Sequence, residues 1–473
     1  MIRSRRPLGV VAATSALLVV SLVGGVASAA APAPAGAPGA VGGGDPYFPR
    51  QGNGGYDVGH YDLAIGYTPA TKALTGVAKL RATATQALSR FDLDLRRNLV
   101  VTEVSVDGRP AKFGQPVALA QELVITPATT LRAGAAFTVQ VTYGGTAKPA
   151  TDPDGALDGF IPTGDGAFVA SEPQGSPTWF PCNDSPRDKA TYTLAVTTPS
   201  SVVAIGNGTR LASSTAGGRT TSVWSMAYPI STYLVTATIG KFDVTTGRTP
   251  GGVPYLNAVT KNQAAASAEA LAALPDIVDW FGTVFGPYPF DTSGAIIDDA
   301  SFVGYALETA TRPVFDQATD VATMSHELAH QWFGDDVTLS RWRDIWINEG
   351  FAEFASWLYD EHTGGPVTAQ RLADLMKVPA SDSVWAPPPA NPGGPENIFS
   401  DSVYTRGAAT LAALRQKVGD TVFFRILKGW VAGREYGSAT VDGFRKYASA
   451  VAGRDLTGFF SVWLDRAAKP TRW

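Results

Sequence analysis

The stretch that most constrains this chain runs from Met324 to Phe354, "MSHELAHQWFGDDVTLSRWRDIWINEGFAEF". It holds two of the 4 histidines in 473 residues. On a helix, positions i and i+4 differ by roughly 40° in azimuth, so His326 and His330 project from one face with their rings together. That geometry suits two ligands of one zinc ion. Glu327, roughly 100° further round, lies beside such an ion, within reach of a bound water. Leu328, Ala329 and Phe333 supply apolar neighbours for a buried helix. The third ligand is not a distal histidine of the H-E-x-x-H-x-x-G-x-x-H pattern, because Phe333 and Asp336 occupy the glycine and histidine positions. A carboxylate from the following helical segment remains, and spacing leaves Glu349 and Glu353 both open. Asn348 is placed to cap the helix that Glu349 begins, and Asp344 to orient a ligand histidine.

Ahead of this segment the hydrophobic period is two. Tyr61, Leu63, Ile65 and Tyr67 alternate with polar or small residues. So do Phe91, Leu93 and Leu95, then Phe137, Val139, Val141 and Tyr143, then Tyr192, Leu194 and Val196. Asp107-Gly108 and Gly144-Gly145 read as turns. Short strands at this spacing predict an antiparallel β sandwich or saddle over residues 46–245. Beyond "TPGGVPY" the pattern turns helical, with Pro275 marking a break or kink in the first helix. A β segment follows around "GAIIDDASFVGYALET". Helical segments then run through "DVATMSHELAHQWFG", "NEGFAEFASWLYDEH", "YTRGAATLAALRQKVG" and "TVDGFRKYASAVAG". Residues 246–473 are therefore expected to form a second, α/β domain that carries the metal constellation.

Residues 1–29 read as a secretory signal peptide: Arg3, Arg5 and Arg6, a short apolar core, and Ala27-Ser28-Ala29 at a cleavage site. Ser4-Arg5-Arg6-Pro7-Leu8 also resembles a twin-arginine signal, so secretion by the Sec or twin-arginine route is expected. Residues 30–45, rich in Ala, Pro and Gly, read as a linker. With 1 cysteine, Cys182, no intrachain disulfide can form. No lipid-anchor cysteine and no second long apolar run occur, so no stable membrane anchor is expected. A net charge of -4 argues against a nucleic-acid partner. Neither G-x-S-x-G nor G-x-x-x-x-G-K-[ST] occurs, which disfavours a serine hydrolase of that type and a P-loop enzyme.

"HELAHQWFGDDVT" followed by "WINEGFA" resembles the aminopeptidase N family of zinc metallopeptidases, the gluzincins, in which eighteen residues separate H-E-x-x-H from the third ligand. Residues 331–348 fill that interval, so the resemblance implies Glu349 as ligand and leaves Glu353 as helix. "TWFPCNDSPRDKATY" resembles the family's F-P-C-x-D-x-P…K-A segment, "YTRGA" its Y-x-K-G-A, and "GYALET" its G-x-M-E-N signature, with Leu307 and Thr309 as departures. The resemblance covers about residues 46–465. It implies an N-terminal β saddle domain followed by a thermolysin-like catalytic domain, ending before the helical domain that many relatives carry. It implies one Zn²⁺ per chain on His326, His330 and Glu349, Glu327 as general base, and Tyr404 as donor to an oxyanion. Glu308 is implied as anchor of the substrate's free α-amine, helped by Glu172, with Gln174 as its rival. Gly304, Tyr305 and Ala306 are placed to pair with the substrate backbone. The expected activity is removal of N-terminal residues from peptides. The alternatives are an endopeptidase or a non-peptide hydrolase on the same site, and a non-catalytic zinc-containing binding protein.

Overall fold

Alternation of apolar residues becomes a wall of strands. The computed structural model describes residues 36–119 and 121–471; the expected signal peptide and the first part of the linker lie outside them. One eight-stranded sheet dominates the first half. Its order is Thr209–Ala216, Arg219–Ile230, Ala190–Pro199, Tyr56–Thr68, Ala73–Ala84, Ala136–Thr146, Leu99–Val106, Arg109–Pro110. Neighbours run antiparallel except at one place, where Ala190–Pro199 pairs parallel with Tyr56–Thr68. The predicted inward residues are buried throughout: Tyr61, Leu63, Ile65 and Tyr67 expose at most 2%. Each such burial stabilises by roughly 1.5–3 kcal/mol, an upper figure for a chain that is already partly collapsed when unfolded. A four-stranded and a five-stranded sheet complete the β domain.

Three sequence expectations are corrected here. Asp107 and Gly108 both have positive φ and form the predicted hairpin turn, but Gly144-Gly145 is not a turn. It lies inside Ala136–Thr146, and a Cβ on Gly145 would come 2.1 Å from the Asn98 carbonyl oxygen. Glycine is there for close backbone approach, not for reversal. The linker expected over 30–45 is also ordered from Gly36. Ala37–Pro38 pairs with Leu88–Asp94, and the Asp45 carboxylate accepts hydrogen bonds from Tyr47 N, Phe48 N and Trp342 N. Composition registers the lack of apolar side chains there but not the backbone pairing. Finally, the boundary expected near residue 245 falls inside a strand, Phe242–Arg248, which already belongs to the second half's sheet.

That second sheet runs Phe242–Arg248, Pro254–Thr260, Ser293–Ile297, Val314–Phe315, Ala306–Leu307. Ala306–Leu307 pairs antiparallel with Val314–Phe315 and forms the sheet's edge. The same half carries the helices α1 (Ala268–Phe285), which packs on Ser293–Ile297, α2 (Val321–Ala329), α3 (Trp346–His362), α4 (Thr368–Leu375), α5 (Gly407–Val418), α6 (Asp420–Ala432) and α7 (Val441–Ala452). α1 continues through Pro275. Among the described residues, no helix is long and apolar enough to cross a membrane. Lys189, in the "FPCNDSPRDKA" segment, donates to the Asp335 and Asp336 carbonyls at 2.8 Å each, fastening the β domain to the loop after α2.

Candidate active site

Three local devices place the chemistry. The Asp320 carboxylate caps α2 by accepting from Thr323 N at 2.8 Å. α3 starts at Trp346, after a short turn at Trp342–Asp344, and has no side-chain cap. Asn348 is thus inside the first turn rather than capping it, and its Nδ2 donates to the Tyr233 hydroxyl. α3 and α5 then touch backbone to backbone: a Cβ on Gly350 would lie 3.2 Å from Gly407 Cα and closer still to the Trp346 ring. That contact carries Glu349, on α3, and Tyr404, three residues before Gly407, into one space. Tyr404 sits on a wide π-helical turn, Ser402–Arg406. Buried Arg406 pins this turn by donating to the carbonyls of Trp385, Val462, Trp463 and Arg466.

The His326 and His330 Nε2 atoms lie 3.2 Å apart, and Glu349 Oε2 is 3.3 Å from each. A tetrahedral ion with bonds of roughly 2.0–2.1 Å sets ligand separations of roughly 3.3–3.4 Å, so these three atoms fit zinc. The outer nitrogens are held as well. His330 Nδ1 donates to the Phe333 carbonyl at 3.0 Å, and His326 Nδ1 faces Glu353 Oε2 at 3.3 Å. Both contacts leave Nε2 as the free lone pair. Glu353, the rival ligand by spacing, is therefore the outer partner of His326. Asp344 does not fill that role: its carboxylate accepts from Arg341 and from Val441 N.

The three atoms face a cavity of about 280 Å³, lined also by Glu327, Glu308, Glu172, Gly304, Tyr305, Ala306 and Tyr404. The structure thus brings His326, His330, Glu349, Glu327, Tyr404, Glu308, Glu172, Gly304, Tyr305 and Ala306 to one place. The Tyr404 ring stacks near His326, with centroids 5.9 Å apart. Gln174 turns away, donating to Asp152 and accepting from Arg96. Of the two departures from the family signature, Leu307 borders the cavity, whereas Thr309 is buried outside its lining and donates to the Arg312 carbonyl. Sequence reasoning missed Gln331. Its Oε1 accepts from Thr311 N at 2.7 Å and its Nε2 donates to the Glu308 carbonyl at 3.4 Å, tying the turn after α2 to the Glu308 loop. No spacing rule marks that contact.

The electrostatics are one-sided. Burial alone would raise the Glu349 carboxyl, but the two imidazoles hold it down to about 2. Burial opposes a charge on His330, yet Glu308 and Glu349 raise it to about 9. Burial pushes Glu308 up to about 7 despite His330. Glu172 is raised by burial and then by Glu308. Glu308 Oε1 and Glu172 Oε1 are buried without a hydrogen-bond partner, and among the described residues no Lys or Arg lines the cavity. Such a set calls for cations from outside the chain.

A β domain, a mixed sheet under helices, and a His₂Glu face opening on an acidic cavity define the class, that of zinc metallopeptidases. Residues 58–234 match the "Peptidase M1 N-terminal domain" and residues 294–463 the "Peptidase family M1 domain"; the chain belongs to peptidase family M1. An M1 zinc metallopeptidase from Deinococcus radiodurans superposes with a TM-score of 0.82 at 29% identity, covering 90% of this chain and 98% of that one. A mutant of it has been solved bound to a Tyr-Ser-Ala substrate. Endoplasmic reticulum aminopeptidase 1 of Homo sapiens is 27% identical over 77% of this chain and 42% of its own. Glutamyl aminopeptidase of Sus scrofa is 26% identical over 87% of this chain and 47% of its own. The chain thus spans about half the length of these curated relatives.

Proposed function

We propose that this protein is a zinc-dependent aminopeptidase that removes the first residue from peptides with a free N-terminal amine. The observation that carries this reading is the pairing, in one cavity, of a zinc-spaced donor set with two buried carboxylates, Glu308 and Glu172, each with an oxygen that accepts no hydrogen bond. His326, His330 and Glu349 would hold the ion. Bound there, zinc would acidify a water and polarise the peptide carbonyl.

The rest is work for the chain's own side chains. Glu327, buried beside the histidines with its carboxyl raised by burial, takes a proton from the attacking water and delivers it to the leaving amine. Tyr404 keeps its proton, because burial and then Glu349 push its hydroxyl well above the usual phenol range. It donates a hydrogen bond to the oxyanion as charge develops there. Glu308 and Glu172 bind the substrate ammonium by charge-assisted hydrogen bonds, which fixes the scissile bond after the first residue. The free edge of Ala306–Leu307 lines the same cavity and offers backbone groups for an extended substrate to add as a strand. We further infer export, from the basic, apolar and small-residue order of residues 1–29.

Glu327→Ala tests the mechanism. The variant is expected to bind about one zinc per chain and to lose turnover; full activity in this variant would reject the assignment of the base.

A further inference from the structure

Two carboxylates of the cavity have no part in the reaction described above. Asp152 and Asp154 lie on the turn between the strands Ala150–Thr151 and Leu157–Pro162, and both line the cavity beside Glu172, Tyr305 and Phe399. The turn is built to hold them. Asp152 N donates to the Ala156 carbonyl and Gly155 N to the Asp152 carbonyl, both at 2.9 Å, and Ala156 N donates to Asp154 Oδ1 at 2.9 Å. Gln174 Nε2 donates to Asp152 Oδ1 at 2.8 Å. The Tyr305 hydroxyl donates to the Leu157 carbonyl at 2.7 Å, so the turn is tied to the very loop that carries Glu308.

The charge balance points to a ligand. Among the described residues, six carboxyl groups line this cavity and no Lys or Arg does. A divalent ion and one ammonium leave the set formally negative. Glu172 is 6% exposed and lines the same space with an oxygen that no protein donor reaches. Tyr305 and Phe399, both half-buried, supply apolar walls of the kind along which a methylene stem packs while its charged end reaches a carboxylate.

We propose that the part of the cavity between the 150–157 turn and Tyr305 takes the side chain of the substrate's first residue and selects a basic one, arginine or lysine, through Asp152 and Asp154. This rests on the aminopeptidase reading.

The test uses the zinc-loaded full chain and pairs of fluorogenic aminoacyl substrates matched in shape: arginine against citrulline, lysine against norleucine, with leucine as reference. The charged member is expected to show kcat/KM at least about tenfold above its neutral partner, as a charge-assisted contact implies. Asp154→Asn keeps the Oδ1 acceptor of the turn and removes the charge; it is expected to shrink the arginine-to-citrulline ratio several-fold. Asp152→Asn is a second variant read by the same ratio. Equal cleavage of arginine and citrulline by the wild type, or an unchanged ratio in both variants, would overturn the proposal while turnover of the leucine substrate leaves the aminopeptidase reading standing. If no free-amine substrate is cleaved, both fall together.

Discussion

Replacing Glu353 by glutamine separates the two carboxylates that spacing alone leaves as rivals. Glu353 Oε2 is 3.3 Å from His326 Nδ1, while Oε1 accepts from Trp357 Nε1 at 2.7 Å. A glutamine has one acceptor oxygen where the carboxylate has two, so it satisfies only one of these donors and contributes no charge to the imidazole. Outer partners of ligand histidines are worth roughly 10–100-fold in metal affinity. The contact here is long and the Glu353 side chain is 28% exposed, which puts the loss at the lower end, about tenfold or about 1.4 kcal/mol. The assay is zinc titration of the chelator-stripped protein against a competing chromophoric chelator, followed by kcat at saturating zinc. The dissociation constant is expected to rise about tenfold while kcat at saturating zinc stays close to wild type. Glu349→Gln, which removes a ligand, should lose far more affinity and stay inactive when zinc is added. Wild-type zinc affinity in Glu353→Gln, or a loss as deep as that of Glu349→Gln, would refute the assignment of inner and outer roles.

Tyr404→Phe should lower kcat by roughly 10²–10³ with little change in KM, since the hydroxyl acts on charge that develops in the transition state. Glu172→Gln should raise KM for free-amine substrates about tenfold, as expected for loss of a charge-assisted contact to an ammonium; an unchanged KM would remove it from the amine site. A pH effect is expected away from the site, at Asp188. It is buried, accepts from Val58 N at 3.1 Å, and burial pushes its carboxyl up to about 7. The folded chain retains a proton there that the unfolded chain releases near 3.8, so stability falls as pH rises from about 4 to about 7. Asp188→Asn should flatten that part of a denaturation profile, by up to about 4 kcal/mol.

Where a side chain's direction follows from a short period, the sequence is readable. Tyr61, Leu63, Ile65 and Tyr67 all point inward because a strand alternates faces, and His326 and His330 meet because a helix nearly repeats after four residues. Glu349 needed the family interval, because two carboxylates one turn apart share a helix face. Only the packing of α3 against α2 decides which carboxylate reaches Nε2 and which reaches Nδ1. Gly144-Gly145 misled because glycine serves both turns and close approach, and the approaching group, the Asn98 carbonyl, comes from the turn that leads into Leu99–Val106. Residues 36–45 misled for a related reason: backbone pairing leaves no mark on composition. Asp152, Asp154 and Gln331 reach the site through tertiary contacts that no local pattern encodes.

The central claim is most directly tested by product analysis of one defined peptide, offered with a free and with an acetylated N-terminus, using the zinc-loaded protein and the chelator-stripped protein side by side. Mass spectrometry is expected to show stepwise loss of N-terminal residues from the free peptide only, and only with zinc present. Internal cleavage, or equal processing of the acetylated peptide, would contradict the amine anchoring assigned to Glu308 and Glu172; undiminished cleavage after zinc removal would contradict the metal site itself.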